Sequence, residues 1–444
     1  MRDEKDFRAL AHKILSLSTA QQTEVLILGT ESALTRFANN HIHQNVAETN
    51  VAVSVRAVLG KKIGVARTNR LDDTSLQRVV ESAIAIASVQ HEDPDFHSLP
   101  EPAPITPVNG FSENTASVTP EQRAAGVKVI VDRARERGLE AAGAFETSVY
   151  HIAVANSLGI FAYQPRTEAE FHAVIMADNG GSGWTQRVSM DAATFDFEAM
   201  AREAMEKAER SRNPIELAIG EYPVVLDTYA VGEMLEMLAF MGVGANAVEE
   251  QRSWLNACIG QKIAPDIVTI YDDATDPLGL PSAFDYEGVP KQWVIIIDHG
   301  VAKGPVYDSY TAYKEGKPNT GHALPAPNTM GPYPEHLMMA PGTASREDLF
   351  KGIERGIYVT RFHYTNIVHP VQTIFTGMTR DGTFLIEHGE ITRPVKSFRF
   401  TQSILEVLAS VEALSHERLQ SRDYVNVVAP ALRAARFNFT GTTQ

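Results

Sequence analysis

Cysteine is nearly absent from this 444-residue chain: the single thiol, Cys258, leaves no intrachain disulfide to form. Long apolar runs are missing as well. No stretch approaches the roughly 18 residues a membrane-crossing helix needs, and the opening Met1-Arg2-Asp3-Glu4-Lys5-Asp6-Phe7 has no apolar core of a secretory signal, so cytoplasmic residence is the expectation. Positive charge is in deficit, with a formal net charge of −15, which disfavours a phosphate backbone as a direct partner. Phosphate-binding loops are absent: Gly180-Gly181-Ser182-Gly183 is followed neither by Lys-Ser/Thr nor by a Gly-x-Gly-x-x-Gly helix start, and reads as a turn. Repeats and low-complexity tracts are absent too.

What is present is an ordinary globular composition, 44% hydrophobic, in a chain too long for one compact core, so two or three domains are expected. Phe7, Leu10, Ala11 and Ile14 mark one face of an opening helix. Strands are predicted at Glu24–Gly29, Ala33–Asn39, Asn50–Leu59 and Lys62–Thr68, followed by a helix with Leu76, Val79, Val80 and Ala83 on its apolar stripe. The prolines between Pro94 and Pro107 make a linker. Thr119-Pro120-Glu121-Gln122 is a capping box opening a helix to about Gly138. Strands at Gly143–His151, Ile152–Asn156, Gly159–Tyr163 and Glu168–Ala177 and a helix at Phe197–Arg210 complete a first domain, residues 1–215.

The second domain, residues 216–444, begins with a strand through Val224-Val225-Leu226 and a helix carrying Met234, Leu235, Leu238 and Met241 at helical spacing. Further strands are expected at Ile267–Asp272, Gln292–His299, Val301–Tyr307, Ile357–Tyr364, Thr383–Glu387 and Glu390–Pro394, with His299-Gly300 and His388-Gly389 as hairpin corners. Helices are expected at Ser309–Gly316, at Ser345–Arg355 behind a Ser-x-x-Asp cap, and at Ile404–Leu414. The whole reads as α+β, two domains with largely antiparallel sheets flanked by helices.

Gly220–Leu238 is a strand-helix setting of the kind that carries a His-Glu-x-x-x-His zinc motif, without the histidines; its only helical carboxylates, Glu233 and Glu236, read as a solvated or partner-facing edge. Around it lie Arg36-Phe37-Ala38-Asn39-Asn40-His41-Ile42-His43-Gln44-Asn45, Val53-Ser54-Val55-Arg56, Asn156-Ser157-Leu158-Gly159, Gly260-Gln261-Lys262-Ile263-Ala264-Pro265, Val268-Thr269-Ile270-Tyr271-Asp272-Asp273, Phe284-Asp285-Tyr286-Glu287-Gly288-Val289-Pro290, Ile357-Tyr358-Val359-Thr360-Arg361-Phe362-His363 and Ile386-Glu387-His388-Gly389-Glu390-Ile391-Thr392-Arg393-Pro394-Val395-Lys396. In that order they resemble the TldD/PmbA family over nearly the whole chain, and most closely its PmbA branch, also called TldE.

The resemblance implies a two-domain subunit that dimerises, pairing with a zinc-bearing TldD-like subunit or a second copy of itself, and a peptidase acting on unfolded peptides or leader sequences held in a cavity. Through the shared Ala230-Val231-Gly232 it places Thr228 and Tyr229 where the first His and the Glu of the zinc motif would stand, and Glu233 where the second His would stand. The cysteine ligand such chains carry near the C-terminus is also missing from Asp423–Gly441. The implied role is therefore a non-catalytic subunit with no cofactor of its own and zinc in its partner. Its peptide-binding candidates are Arg361, for a substrate carboxylate, and His363, Tyr364, Asn366 and His369 on a loop facing the cavity. Two alternatives stand beside it: a metallopeptidase with an atypical site built from Glu233, His363 and His369, and a non-enzymatic modulator of DNA gyrase, as the family's older naming suggests.

Other clusters have plainer readings. His41 and His43 share a strand face and could chelate a metal, but read as a polar strand edge. Asp272, Asp273 and Asp276 lack the spacing of a calcium loop and read as a solvated turn. Cys258 has no neighbouring histidine to make it a nucleophile, and Met234, Met237 and Met241 read as core.

Overall fold

The computed structural model describes residues 3–422 and 425–442, arranged in two lobes. In the first, α1 (Glu4–Leu17), β1 (Gln22–Ala38), β2 (His41–Leu59), β3 (Lys62–Thr68), α2 (Asp73–Val89), α3 (Glu113–Ala116), α4 (Pro120–Glu136), β4 (Glu140–Asn156), β5 (Phe161–Met176), β6 (Ser182–Ser189) and α5 (Phe197–Arg210) follow in order. The strands form one antiparallel sheet, ordered β3-β2-β1-β4-β5-β6. Strand alternation gives it two faces. Val25, Ile27, Val53 and Val55 bury against α1 and α2, and Phe37, Phe145, Phe171 and Ala173 bury against α4 and α5. The opposite face, with Leu26, Ile152, Val154 and Ala162, packs on Phe284 of the second lobe.

The second lobe contains β7 (Gly220–Leu226), α6 (Thr228–Phe240), α7 (Ala245–Glu249), β8 (Ile270–Asp272), β9 (Val294–Asp298), β10 (Val301–Ala302), α8 (Ser309–Glu315), β11 (His336–Met339), β12 (Arg355–His369), β13 (Ile374–Glu387), β14 (Glu390–Pro394), β15 (Phe398–Ser403), α9 (Ile404–Ala409), β16 (Val411–Arg422) and β17 (Asn426–Thr442). Its sheet runs β10-β9-β8-β11-β17-β15-β13-β12-β7, and β7 pairs back onto β17. The five strands β17, β15, β13, β12 and β7 therefore close into a ring, which removes their edges. Four fully buried rings, Phe362, Phe375, Phe400 and Phe437, pack together with centroids 4.6 to 5.8 Å apart for the contacts Phe362 makes. The α+β class with largely antiparallel sheets holds; β7 with β12 and β11 with β17 are parallel.

Several element boundaries differ from the sequence reading. The segments expected as separate strands in the first lobe fuse into the long β1, β4 and β5, because neighbouring strands carry the ladder through the stretches where side chains turn polar, on both sides for β1 and β4 and from β4 alone in the middle of β5. Pro165 is tolerated inside β5 because β6 pairs only from Ala169 onward, leaving β5 a local edge at that point. Of the turn expected at Gly180–Gly183 only the first half forms, since Ser182 and Gly183 already belong to β6, and β11, β15, β16 and β17 were not anticipated. The helix expected at Ser345–Arg355 is one 3-10 turn, Glu347–Leu349: Ser345 and Asp348 cap each other at 3.1 and 3.2 Å, but Gly352 at φ +80° ends the segment. The helix expected to Leu414 stops at Ala409, where β16 takes over. The hairpin corners at His299-Gly300 and His388-Gly389 form as expected, all four residues having positive φ.

Between the lobes, Arg56 bonds Glu24 at 2.5 Å and Glu287 at 2.9 Å. Burial pushes Glu24 up to about 7 against the pull of Arg56, with Glu287 adding to the rise. The folded state thus holds a proton that the unfolded chain loses above pH 4.5. The contribution of Glu24 to stability accordingly falls as pH rises from 4.5 to about 7. Glu24→Gln abolishes this term, so its urea midpoint should rise relative to wild type between about pH 5 and pH 8; a pH-independent difference would contradict the assignment. Phe437→Ala, which empties the ring core, should cost about 3–5 kcal/mol in the same measurement.

Candidate functional site

The helix α6 is buried on nearly every side, as expected for a segment apolar all round. Gly232 permits this: a Cβ there would lie 2.0 Å from the Ser421 hydroxyl on β16. The entrance to α6 is fixed by Asp227, whose side chain is 1% exposed. Its carboxylate accepts from the Thr228 amide at 2.8 Å, the Tyr358 hydroxyl at 2.5 Å and Lys207 at 3.2 Å, and pairs with Arg346. Lys207 belongs to α5 of the first lobe, so this node ties the lobes together.

Tyr229 points into the first lobe. Its hydroxyl accepts from Arg187 at 2.7 Å and the Gln186 amide at 3.2 Å, and donates to Glu203 at 3.2 Å. Glu203 also pairs with Arg187 at 3.0 Å and Lys207 at 3.1 Å; burial opposes its ionisation, yet Lys207 and Arg187 hold it down to about 2. Burial and Glu203 push the Tyr229 hydroxyl up, so it keeps its proton. A group so engaged is not a base for activating water.

One turn on, Glu233 accepts from the Thr365 hydroxyl at 2.8 Å, and Glu236 accepts from the Val425 amide at 3.1 Å. Glu236 is 1% exposed and Glu233 half-buried, so the solvated part of the expected solvated or partner-facing edge does not hold for Glu236, which the surrounding strands cover. Tyr229, Glu233 and Glu236 line a cavity of about 230 Å³, together with Glu170, His172, Trp184, Gln186, Ser421, Arg422 and the segment Arg361–Tyr364. Arg361 bonds Asp381 at 2.7 Å through Nε and stacks on Trp184 at 4.1 Å. Burial, reinforced by Arg361 and Arg380, pushes the His363 imidazole down, so it is neutral at pH 7.

The structure thus brings the motif positions Tyr229 and Glu233 together with Arg361, His363 and Tyr364, while Thr228 is buried beside Asp227. Asn366 and His369 lie outside this cavity, exposed on the outer part of the β12–β13 hairpin, and the segment expected as a loop is strand. His369 accepts from the Gln372 amide at 3.3 Å. Sequence reading missed Asp227, Arg187, Glu203, Lys207 and Arg422. A capping aspartate between β7 and α6 was the one legible signal among them.

Elsewhere, Asp272 is fully buried rather than in a solvated turn: it accepts from His322 Nε2 at 3.0 Å and the His336 amide at 2.8 Å, and His322 holds it well below the usual carboxylate range despite burial. Cys258 is buried, its thiol pushed up to about 11 by burial. Met234, Met237 and Met241 are core. His41 and His43 stand exposed where β2 has no β3 partner. A larger cavity, about 990 Å³, opens between the lobes beside Arg56, Glu287 and Asp308 and shares no residue with the α6 cavity.

A zinc motif on this helix requires two imidazoles one turn apart and a free carboxylate beside the first. Thr228, clamped Tyr229 and Glu233 do not supply that donor set. Among the described residues no group of three or more His, Cys, Asp or Glu side chains is arranged to hold a metal ion, and no helix is long and apolar enough to cross a membrane.

Family models for the PmbA/TldA metallopeptidase match in three parts: domain 1 over residues 23–87, the central domain over 113–212 and the C-terminal domain over 219–441. A metalloprotease TldD homolog of Haemophilus influenzae is 26% identical over 82% of this chain and 79% of its own length. A second, from Buchnera aphidicola subsp. Acyrthosiphon pisum, is 23% identical over 85% and 82%. In structure the chain is similar to TldE from Thermococcus kodakarensis, with a TM-score of 0.89 at 21% identity over 98% of this chain and all of that one. It is also similar to a Thermotoga maritima protein described provisionally as a modulator of a DNA gyrase, with a TM-score of 0.87 at 20% identity over 98% and 100%. At these identities the structural likeness shows the fold.

Replacing Asp227 by Ala leaves Lys207 without its second carboxylate and removes the cap of α6. A loss of about 3–5 kcal/mol in urea unfolding is expected, and a loss below about 1 kcal/mol would show that the node is dispensable.

Proposed function

The chain belongs to the PmbA/TldA metallopeptidase family, and from that premise we propose that it is a non-catalytic, PmbA/TldE-like subunit that binds unfolded peptide for a zinc-bearing TldD-like partner. One observation carries the reading: all three motif positions are changed, and Tyr229, at the place of the general base, is locked as a neutral donor to Glu203. The α6 scaffold survives in full, and it forms the wall of a cavity rather than a metal site. Zinc belongs to the partner. This chain contributes Arg361, His363 and Tyr364 to the cavity wall, with Asn366 and His369 on the outer hairpin, whose Tyr364, Ile367 and Val368 offer apolar surface to a partner. The complex acts in the cytoplasm, without direct contact to nucleic acid. A second copy of the chain is the alternative partner.

A metal site of the chain's own, built from Glu233, His363 and His369, is disfavoured because His369 lies outside the cavity that holds the other two. A gyrase-directed role has no specific feature of the cavity in its favour.

Mixing the purified chain with a relative that carries the His-Glu-x-x-x-His motif should give a complex on size exclusion and raise zinc-dependent cleavage of an unfolded peptide. No complex and unchanged cleavage would refute the proposal.

A further inference from the structure

A second cavity, about 270 Å³, adjoins the first and shares Arg422 with it. Its wall includes Tyr150, Arg166, Glu168, Tyr286, Glu335 and His336. The two cavities have a common floor. On β5 Arg166 and Glu168 line the second cavity, Glu170 and His172 the first, and all four are spaced by two, on the face turned from α4 and α5. At roughly 3.4 Å per residue the row from Arg166 to His172 spans about 20 Å, the length of about six residues of extended peptide.

The two ends of this track differ in charge chemistry. At one end the carboxyl groups of Glu170, Glu233 and Glu236 gather beside α6. At the other, each carboxylate is matched by a cation, Glu168 by Arg422 and Glu335 by Lys291 at 3.7 Å, which leaves no excess of negative charge there. Arg166 has no such match. Its one hydrogen bond is to the Leu280 carbonyl at 3.3 Å, and among the described residues no carboxylate pairs with it. In the same wall His336 is 2% exposed and neither of its ring nitrogens has a hydrogen-bond partner. A buried imidazole with both nitrogens unmet is costly unless a ligand supplies a partner.

We propose that the two cavities form one track that binds an extended peptide in a fixed direction, its C-terminal carboxylate on Arg166 beside His336 and its amino end toward Glu170, Glu233 and Glu236. This rests on the peptide-binding reading above and adds polarity and length to it. The guanidinium fork suits a carboxylate, and the excess of carboxyl groups at the far end suits an ammonium.

The test uses the full-length chain and three fluorescent hexapeptides of the same uncharged sequence, labelled at a central side chain: one with a free carboxyl terminus, one amidated, and one amidated but ending in Glu. Anisotropy titrations should show the free acid binding about tenfold or more tighter than the amide. Arg166→Ala should erase that difference and Arg166→Lys restore part of it, while near-equal binding of the amide to all three proteins reports an intact track. Equal binding of acid and amide to wild type would overturn the polarity but leave peptide binding standing. A Glu-ending amide that matches the free acid would move the recognised carboxylate to a side chain and overturn the terminal assignment. Absence of binding by every peptide would refute the peptide-binding reading itself, and the inference with it.

Discussion

The buried Asp227 carboxylate is the constraint on which the arrangement of the site depends. A charge taken out of water needs partners, and Asp227 collects them from three directions: Lys207 from the first lobe, Arg346 and Tyr358 from the second, and the opening amide of its own helix. Satisfying that one group fixes where α6 begins, how it turns, and how α5 lies against the second lobe. Tyr229 then meets Arg187 and Glu203, and Glu233 meets the β12 hairpin through Thr365. The remaining groups of the cavity inherit their positions from this node.

The same logic explains how α6 keeps its place. Arg187, Lys207 and Glu203 gather around the start of the helix, with Tyr229 at their centre. The network is paired and largely withdrawn from water, so it stabilises geometry. Gly232, held against Ser421, keeps the helix close to β16, which brings Arg422 to the junction of the two cavities.

Much of the molecule was legible in the sequence because short-range rules set it. The capping box at Thr119 and the His-Gly hairpin corners depend on a few neighbouring residues, and they formed as those residues dictate. Where sequence reading failed, partners distant in the chain had overruled local signals. Ser345 and Asp348 are a genuine cap, yet one turn is all that the surrounding strands admit. The polar stretch Thr30-Glu31-Ser32 looked like a break in β1, but ladders from β2 and β4 carry the strand through it. Asp272 looked like a turn residue, and only burial beside His322 and His336 shows it as a structural anion.

By itself the sequence determined the family, the α+β class, the absence of histidine at positions 228 and 233 and the cluster of polar candidates around Arg361 and His363. These follow from residue identity and order, which no fold can alter. Tertiary structure alone decided that Glu236 is buried and Glu233 half-buried, that His363 joins the α6 cavity while His369 does not, and that Arg166 and Arg422, from separate lobes, line one cavity. Such facts depend on which faces of β5, α6, β12 and β16 meet, and that is settled by long-range pairing and by the desolvation of charges rather than by spacing along the chain.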